Sequence, residues 1–209
     1  MKNLTLISHP LLKHKLGLLR DQKTSSAEFR HLVGEISTLL VYEAMKDWKD
    51  FNQHQIQTPI APTNVERIEN PPVIVSILRA GMGMLDPILN LMPFCAAGFI
   101  GIYRDKFIKN TVEYYFKMPE DIAGKATLLC DPLISSADTI VAAIERLKSY
   151  QVEDIKILCI LISRKGYERI QKHFPKIPIY AIHLEEQVNE QGYLVPGLGD
   201  AGDRLYRTK

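Results

Sequence analysis

Residues 125–147, KATLLCDPLISSADTIVAAIERL, constrain the fold of this chain more than any other stretch. The apolar run 126–130 stops at Asp131-Pro132, a hydroxyl-bearing turn follows at Ser135 and Ser136, and residues 139–147 repeat apolar side chains at helical spacing. A buried strand that turns at once into an amphipathic helix is the unit of an α/β sheet. In such sheets ligands gather beyond the carboxyl ends of the strands, where helix N-termini offer unpaired N–H groups and a positive dipole end. The turn is the first candidate site, and Asp138 brings a carboxylate to the place where an anion would lie.

The same unit recurs along the chain. Val73–Leu78 is an apolar run between Pro71-Pro72 and Arg79-Ala80-Gly81, Met82–Leu91 has helical spacing, and Pro93 stops it. Residues 97–103 and 111–116 read as strands flanking a charged loop, and 156–162 and 177–183 as further parallel strands around a helix at 167–173. Strands alternating with helices predict a doubly wound parallel sheet. Ahead of it, Ser25-Ser26 can cap a helix carrying Phe29, Leu32, Val33, Ile36, Leu39, Leu40 and Tyr42 at helical spacing. The partner of that stripe is open: the same chain's sheet or a second subunit. Residues 55–70, broken by Pro59 and Pro62, read as an extended arm or edge hairpin. The tail 185–209, with its PGLGDAG, is expected to be a loop or hood and not a regular helix.

With 209 residues of ordinary globular composition, the chain is expected to form a single domain, 1–209. A net charge of +2, scattered along the chain, gives no reason to expect nucleic acid or a membrane surface as a partner. Cys95, Cys130 and Cys159 lie in apolar runs without metal-ligand spacing, and the N-terminus lacks a secretory apolar core. A soluble, cytoplasmic protein is the expectation.

Three loops at strand ends carry candidate chemistry: residues 78–81 (LRAG), 131–139 and 193–204 (YLVPGLGDAGDR). Each alone has a plain explanation, respectively a surface ion pair, a turn with a helix cap, and a glycine-rich surface loop. Together with HPLLKHKLGLLRD near the start, IQTP at 56–59, IGIYRD at 100–105 and VEYYFKMPEDI at 112–122, they resemble the uracil phosphoribosyltransferase family of type I phosphoribosyltransferases along nearly the whole chain. The resemblance implies a doubly wound parallel sheet with N-terminal helices and a C-terminal hood. It also implies transfer of 5-phosphoribose from phosphoribosyl pyrophosphate to uracil, giving UMP and pyrophosphate, with Mg2+ and as a homodimer or higher homo-oligomer. Arg79 and Arg104 would hold the pyrophosphate, for which guanidinium forks are suited. Asp131, Pro132, Leu133, Ile134, Ser135, Ser136, Ala137, Asp138 and Thr139 would hold the ribose hydroxyls and 5-phosphate. Asp200 would meet the ribosyl pyrophosphate and its magnesium, while Leu194, Gly199 and Ala201 would read uracil through the backbone with Tyr193 lining the pocket. Arg79, Arg104, Asp131 and Asp200 are the implied catalytic residues. Such a reaction proceeds by positioning and charge stabilisation, without a nucleophile. His9, His14, His31, His54, His173 and His183 are accordingly given no catalytic role.

This chain departs from the family in its phosphate loop. The usual Asp-Pro-Met-Leu-Ala-Thr-Gly-Gly-Ser is replaced by DPLISSADT, which keeps hydroxyls but loses both glycines. Ala137 is compatible with the loop if its φ is negative. A carboxylate about 4 Å from a phosphate at an effective dielectric near 20 is repelled by about 4 kcal/mol per pair of unit charges. Pointing inward, Asp138 would block the phosphate; pointing outward, it would cap the helix. Ser76 stands for a family proline, Arg164-Lys165 for Pro-Glu, and residues 106–111 (KFIKNT) for an acidic loop. The added positive charge suggests that Arg164 or Lys165 neutralises Asp138. The other reading of the chain is a relative of weak or no activity that binds uracil or nucleotide as a regulator.

Overall fold

The computed structural model describes residues 2–104 and 111–208, with Arg104 placed by its backbone. A short strand, β1 (Leu4–Leu6), precedes two helices, α1 (Pro10–Arg20) and α2 (Ser26–Ala44). Pro10 begins α1, where its missing N–H is no loss, and His9 Nδ1 accepts from Leu11 N at 3.2 Å. Ser25 caps α2 by accepting from Glu28 N at 3.2 Å, as its position in the sequence predicts. Apart from the exposed Tyr42, the α2 stripe packs in one cluster with Leu158, Ile160 and Tyr180, so the partner left open by the sequence is, for these residues, the chain's own sheet. The predicted arm is an antiparallel hairpin of β2 (Phe51–Gln57) and β3 (Pro62–Ile68), paired from Phe51↔Ile68 and closed by Thr58, whose N donates to Ala61 O at 3.1 Å.

The strand and helix repeats follow as β4 (Val73–Leu78), α3 (Met82–Leu91), β5 (Ala97–Arg104), β6 (Thr111–Lys117), β7 (Thr127–Cys130), β8 (Leu133–Ile134), α4 (Asp138–Ser149), β9 (Ile155–Ser163), α5 (Arg164–His173) and β10 (Ile179–Glu185). They form an eight-stranded sheet in the order β1-β10-β9-β7-β4-β5-β6, with β8 also pairing β9. Its pairings are parallel except for β5 with β6. Alternate strand residues feed two cores. Ile74, Leu128, Leu158 and Tyr180 pack with α1, α2 and α3, while Val75, Leu129, Ile157 and Ile179 pack with residues of α4 and α5. Both faces are covered, which is why the central strands are apolar throughout.

From β4 the chain steps outward to β5 and β6, then returns to add β7 on the other side of β4. The strand order reverses between β4 and β7, and in open α/β sheets the crevice beyond that switch point is where ligands bind. Arg79 leaves β4 and Asp131 leaves β7 at this crevice.

The hood corrects one expectation. It holds a small hairpin, β11 (Gln187–Val188) and β12 (Leu194–Val195), and then a six-residue helix, α6 (Ala201–Tyr206), in a tail expected to be a loop or hood and not a regular helix. The breaking residues occupy 196–199, and Asp200 starts the helix by accepting from Asp203 N at 2.9 Å. No helix among the described residues is long and apolar enough to cross a membrane.

Candidate active site

Asp131 emerges from β7 with its N donating to Leu158 O at 3.1 Å. Burial pushes its carboxyl up to about 7, the nearby Asp200 charge adds to the rise, and a hydrogen bond with the Leu133 backbone opposes it. The β7 loop and the hood therefore bring two carboxylates together. Magnesium is commonly bound by one or two carboxylates, completed by waters and substrate phosphates. Asp131 and Asp200 fit that role, and no cluster of three or more His, Cys, Asp or Glu that could cage a metal occurs among the described residues.

Arg79 is clasped by the chain's C-terminus. Its Nη1 donates to Thr208 Oγ1 at 3.1 Å, its Nη2 to Asp203 Oδ1 at 3.4 Å, and its carbonyl accepts from Tyr206 Oη at 3.2 Å. A side chain beginning at Gly202 would stand 3.2 Å from Asp200 Oδ1 and 3.6 Å from Arg79 Nη2, so hydrogen at this position lets the two groups converge. Asp203, Tyr206 and Thr208 are site residues that the sequence reading missed. Asp203 belongs to the hood motif YLVPGLGDAGDR, but only the turn of α6 brings it against Arg79. Arg104 ends β5 at the same end of the sheet, one strand beyond β4. Residues 105–110, which hold most of the KFIKNT loop, lie outside the described residues.

The base-reading candidates share the hood. Leu194 lies in β12, Gly199 adopts φ +81°, and Ala201 opens α6. Tyr193 is held at both backbone groups by Asn189, whose Oδ1 accepts from Tyr193 N at 2.8 Å and whose N donates to Tyr193 O at 2.9 Å. A polar cleft of about 400 Å³ runs between Tyr193, Asp200, Asp203 and the N-terminal residues Gln22 and Thr24. Arginines fasten the hood to α1 and α2: Arg20 Nη1 donates to Gly197 O at 2.7 Å, Arg30 Nη1 to Leu205 O at 2.7 Å, and Arg204 Nη1 to Leu19 O at 2.6 Å. Arg20 Nη1 also lies 2.5 Å from Oε1 of the buried Glu185.

In the phosphate loop, Pro132, Leu133 and Ile134 join the sheet. Pro132 O accepts from Ile160 N and Leu161 N at 2.9 and 3.0 Å, and the next two residues form β8. Ser135 Oγ donates to Gly192 O at 2.7 Å, tying the loop to the hood. Ala137 sits at φ +61°, ψ +14°, so the condition of a negative φ, under which alanine would fit the loop without strain, is not met: the alanine adopts the left-handed turn that glycine serves elsewhere. Thr139 follows Asp138 within the first turn of α4.

Asp138 also differs from expectation. Its Oδ2 accepts from Ser136 Oγ at 2.7 Å and its Oδ1 lies 2.6 Å from Arg169 Nη1, with 12% of the side chain exposed. Among the described residues, the cation paired with it is thus Arg169. Arg164 turns away and makes a bidentate pair with Glu186, Nε to Oε2 at 2.5 Å and Nη2 to Oε1 at 2.7 Å. No linear spacing points to Arg169, because α4 and α5 are aligned only by their packing on the sheet.

The open sheet is that of a type I phosphoribosyltransferase; the adenine phosphoribosyltransferase of Leishmania donovani shares this fold at a TM-score of 0.62, with 13% identity over 92% of this chain and 88% of that one. The AQ2163 protein from Aquifex aeolicus is closer, at a TM-score of 0.93 and 32% identity over 99% of each chain. The uracil phosphoribosyltransferase of Caulobacter vibrioides (strain NA1000 / CB15N) is 41% identical over 210 residues, covering 100% of both sequences, and the sequence model described as uracil phosphoribosyltransferase matches residues 6–208. The chain belongs to the uracil phosphoribosyltransferase family.

Proposed function

We propose that the protein, as one phosphoribosyltransferase unit spanning residues 1–209, transfers 5-phosphoribose from phosphoribosyl pyrophosphate to uracil, yielding UMP and pyrophosphate. The observation that carries this reading is the convergence of Asp131, Asp200 and Arg79 at the switch point, under a hood that holds the base-reading backbone. Full-length similarity to curated uracil phosphoribosyltransferases supports turnover over a regulator without activity. Arg79 and Arg104 balance the charge that grows on pyrophosphate as its bond to the ribose C1 breaks. Asp131 receives the ribose hydroxyls, and Ser135, Ser136, Ala137, Asp138 and Thr139 surround the 5-phosphate beside the start of α4. Asp131 and Asp200 are the groups that would hold magnesium, which supplies charge neutralisation to the pyrophosphate when bound. The fixed backbone of Leu194, Gly199 and Ala201 matches the alternating C=O and N–H edge of uracil, beside Tyr193.

A homodimer in the cytoplasm is part of the proposal. The dimer is supported by an apolar hollow of about 450 Å³ bordered by the exposed Tyr42, Phe51, Leu91 and Phe94. Pyrophosphate release with uracil, phosphoribosyl pyrophosphate and Mg2+ tests the reaction. Turnover that requires all three is expected, and none with retained UMP binding would favour the regulator.

A further inference from the structure

The reaction as described places Asp138 beside the 5-phosphate but gives no part to its partner Arg169, and the ion pair is built from parts that a phosphate would use. The Asp138 carboxylate takes a hydroxyl from Ser136 on one oxygen and a guanidinium from Arg169 on the other, at the first turn of α4. Its side chain is 12% exposed and that of Arg169 is 42% exposed, so the acid is turned into the loop while the cation keeps one side in water. A hydroxyl donor, a guanidinium fork and a helix N-terminus are the partners that oxyanions compete for. A phosphate monoester carries about −1.5 to −2 charges near neutral pH against −1 for a carboxylate, so it is the stronger claimant for the same cation.

We infer that Asp138 is a built-in competitor for the 5-phosphate and that Arg169 is a phosphate-binding residue shared between them. On binding, the ligand's phosphate takes over the Ser136 hydroxyl and the Arg169 guanidinium, and the Asp138 carboxylate swings out to water. The exchange lowers the affinity for every 5-phosphorylated ligand and leaves recognition of the base untouched. It rests on the reading of this loop as the ribose-phosphate site, and it assigns Arg169 a part that the loop sequence does not contain. Arg164, engaged by Glu186, is not the cation that makes the exchange.

Titration calorimetry of the full chain with UMP and with uridine, on wild type, Asp138→Asn, Arg169→Gln and the double variant, tests the exchange. Asparagine is isosteric and keeps an acceptor for Ser136, and the double variant carries no unbalanced carboxylate, so both are expected to fold as the wild type does. Asp138→Asn should bind UMP about tenfold or more tightly, which corresponds to ~1.4 kcal/mol or more, with uridine unchanged. In the Asp138→Asn background, Arg169→Gln should then weaken UMP by about tenfold and again spare uridine. Equal UMP affinity in all four proteins overturns the exchange while leaving the site intact. Loss of UMP affinity in Arg169→Gln alone, but not in the double variant, also overturns it by reducing Arg169 to a counter-ion of Asp138. Absence of UMP and uridine binding from all four overturns the exchange together with the phosphoribosyltransferase reading of the loop.

Discussion

The hood and the phosphate loop face each other across the same crevice, yet they are held in opposite ways. The hood is fastened by arginines of α1, α2 and α6 that donate to backbone carbonyls, at Gly197, Leu205, Leu19 and Leu198. Arg204 also lies 4.3 Å over the Phe29 ring. Carbonyls cannot move without moving the chain, so these bonds fix a shape, as the proposed reading of uracil through the hood backbone would require. The phosphate loop is anchored by backbone pairing at Pro132–Ile134 and by Ser135 on a hood carbonyl, but around residue 138 it is held by side chains that can change partner: Ser136 on Asp138 and Asp138 on Arg169. One region is a template and the other an exchangeable set of contacts. Asp131 and Asp200 meet where the two join.

The hood side of this contrast is tested most severely at Arg20, which binds both Gly197 O and the carboxylate of Glu185, itself 2% exposed. Arg20→Gln leaves that carboxylate buried without its cation and should cost about 3 kcal/mol in a urea melt. It should also raise the KM for uracil with little change for phosphoribosyl pyrophosphate. A parallel loss for both substrates would break the separation of template from exchangeable loop.

The junction should show itself in the pH dependence of stability. Asp131 releases its proton near 3.8 when unfolded and at about 7 when folded. The folded state therefore holds the extra proton between those values. Its contribution to stability is complete below about pH 4, falls as pH rises towards 7 and is lost above. Roughly three units at ~1.4 kcal/mol each, halved because the group is partly exposed, amount to about 2 kcal/mol. Subtracting the pH profile of Asp131→Asn from that of the wild type should leave this slope; identical profiles would mean that the acid is not raised in the folded protein.

The smallest effect is expected at Ala137, on the loop side. Left-handed φ in a non-glycine residue costs about 1–2 kcal/mol, and the buried methyl is worth about 0.8 kcal/mol. Ala137→Gly should stabilise the protein by about 0.5 kcal/mol, read as a small rise in Tm. A fall would mean that packing of the methyl outweighs the strain.

Much of this arrangement was legible beforehand. Val73–Leu78 and Met82–Leu91 match the elements read from apolar runs and punctuation, because local spacing decides which side chains share a face. The candidate loops were legible because each follows directly on a strand, and strand ends define the crevice. Residues acting across the fold were not. Arg169 reaches Asp138 from another helix, and Thr208 reaches Arg79 across the sheet's mouth. The sign of φ at Ala137 also escaped, since the alanine side chain itself favours the opposite sign. So did α6, where the cap at Asp200 and the packing of Leu205 offset the glycine at 202.

The amino-acid sequence by itself determined the alternation of strand and helix, the position of the 131–139 loop and its hydroxyls, and the unusual acid at 138. Those depend on neighbours along the chain. The tertiary structure alone decided which cation meets that acid, how the C-terminus clasps Arg79, and that Asp131 and Asp200 share one field. Charge pairs and buried carboxylates are set by distance and solvent exclusion, and both arise only when separate elements pack on a common sheet.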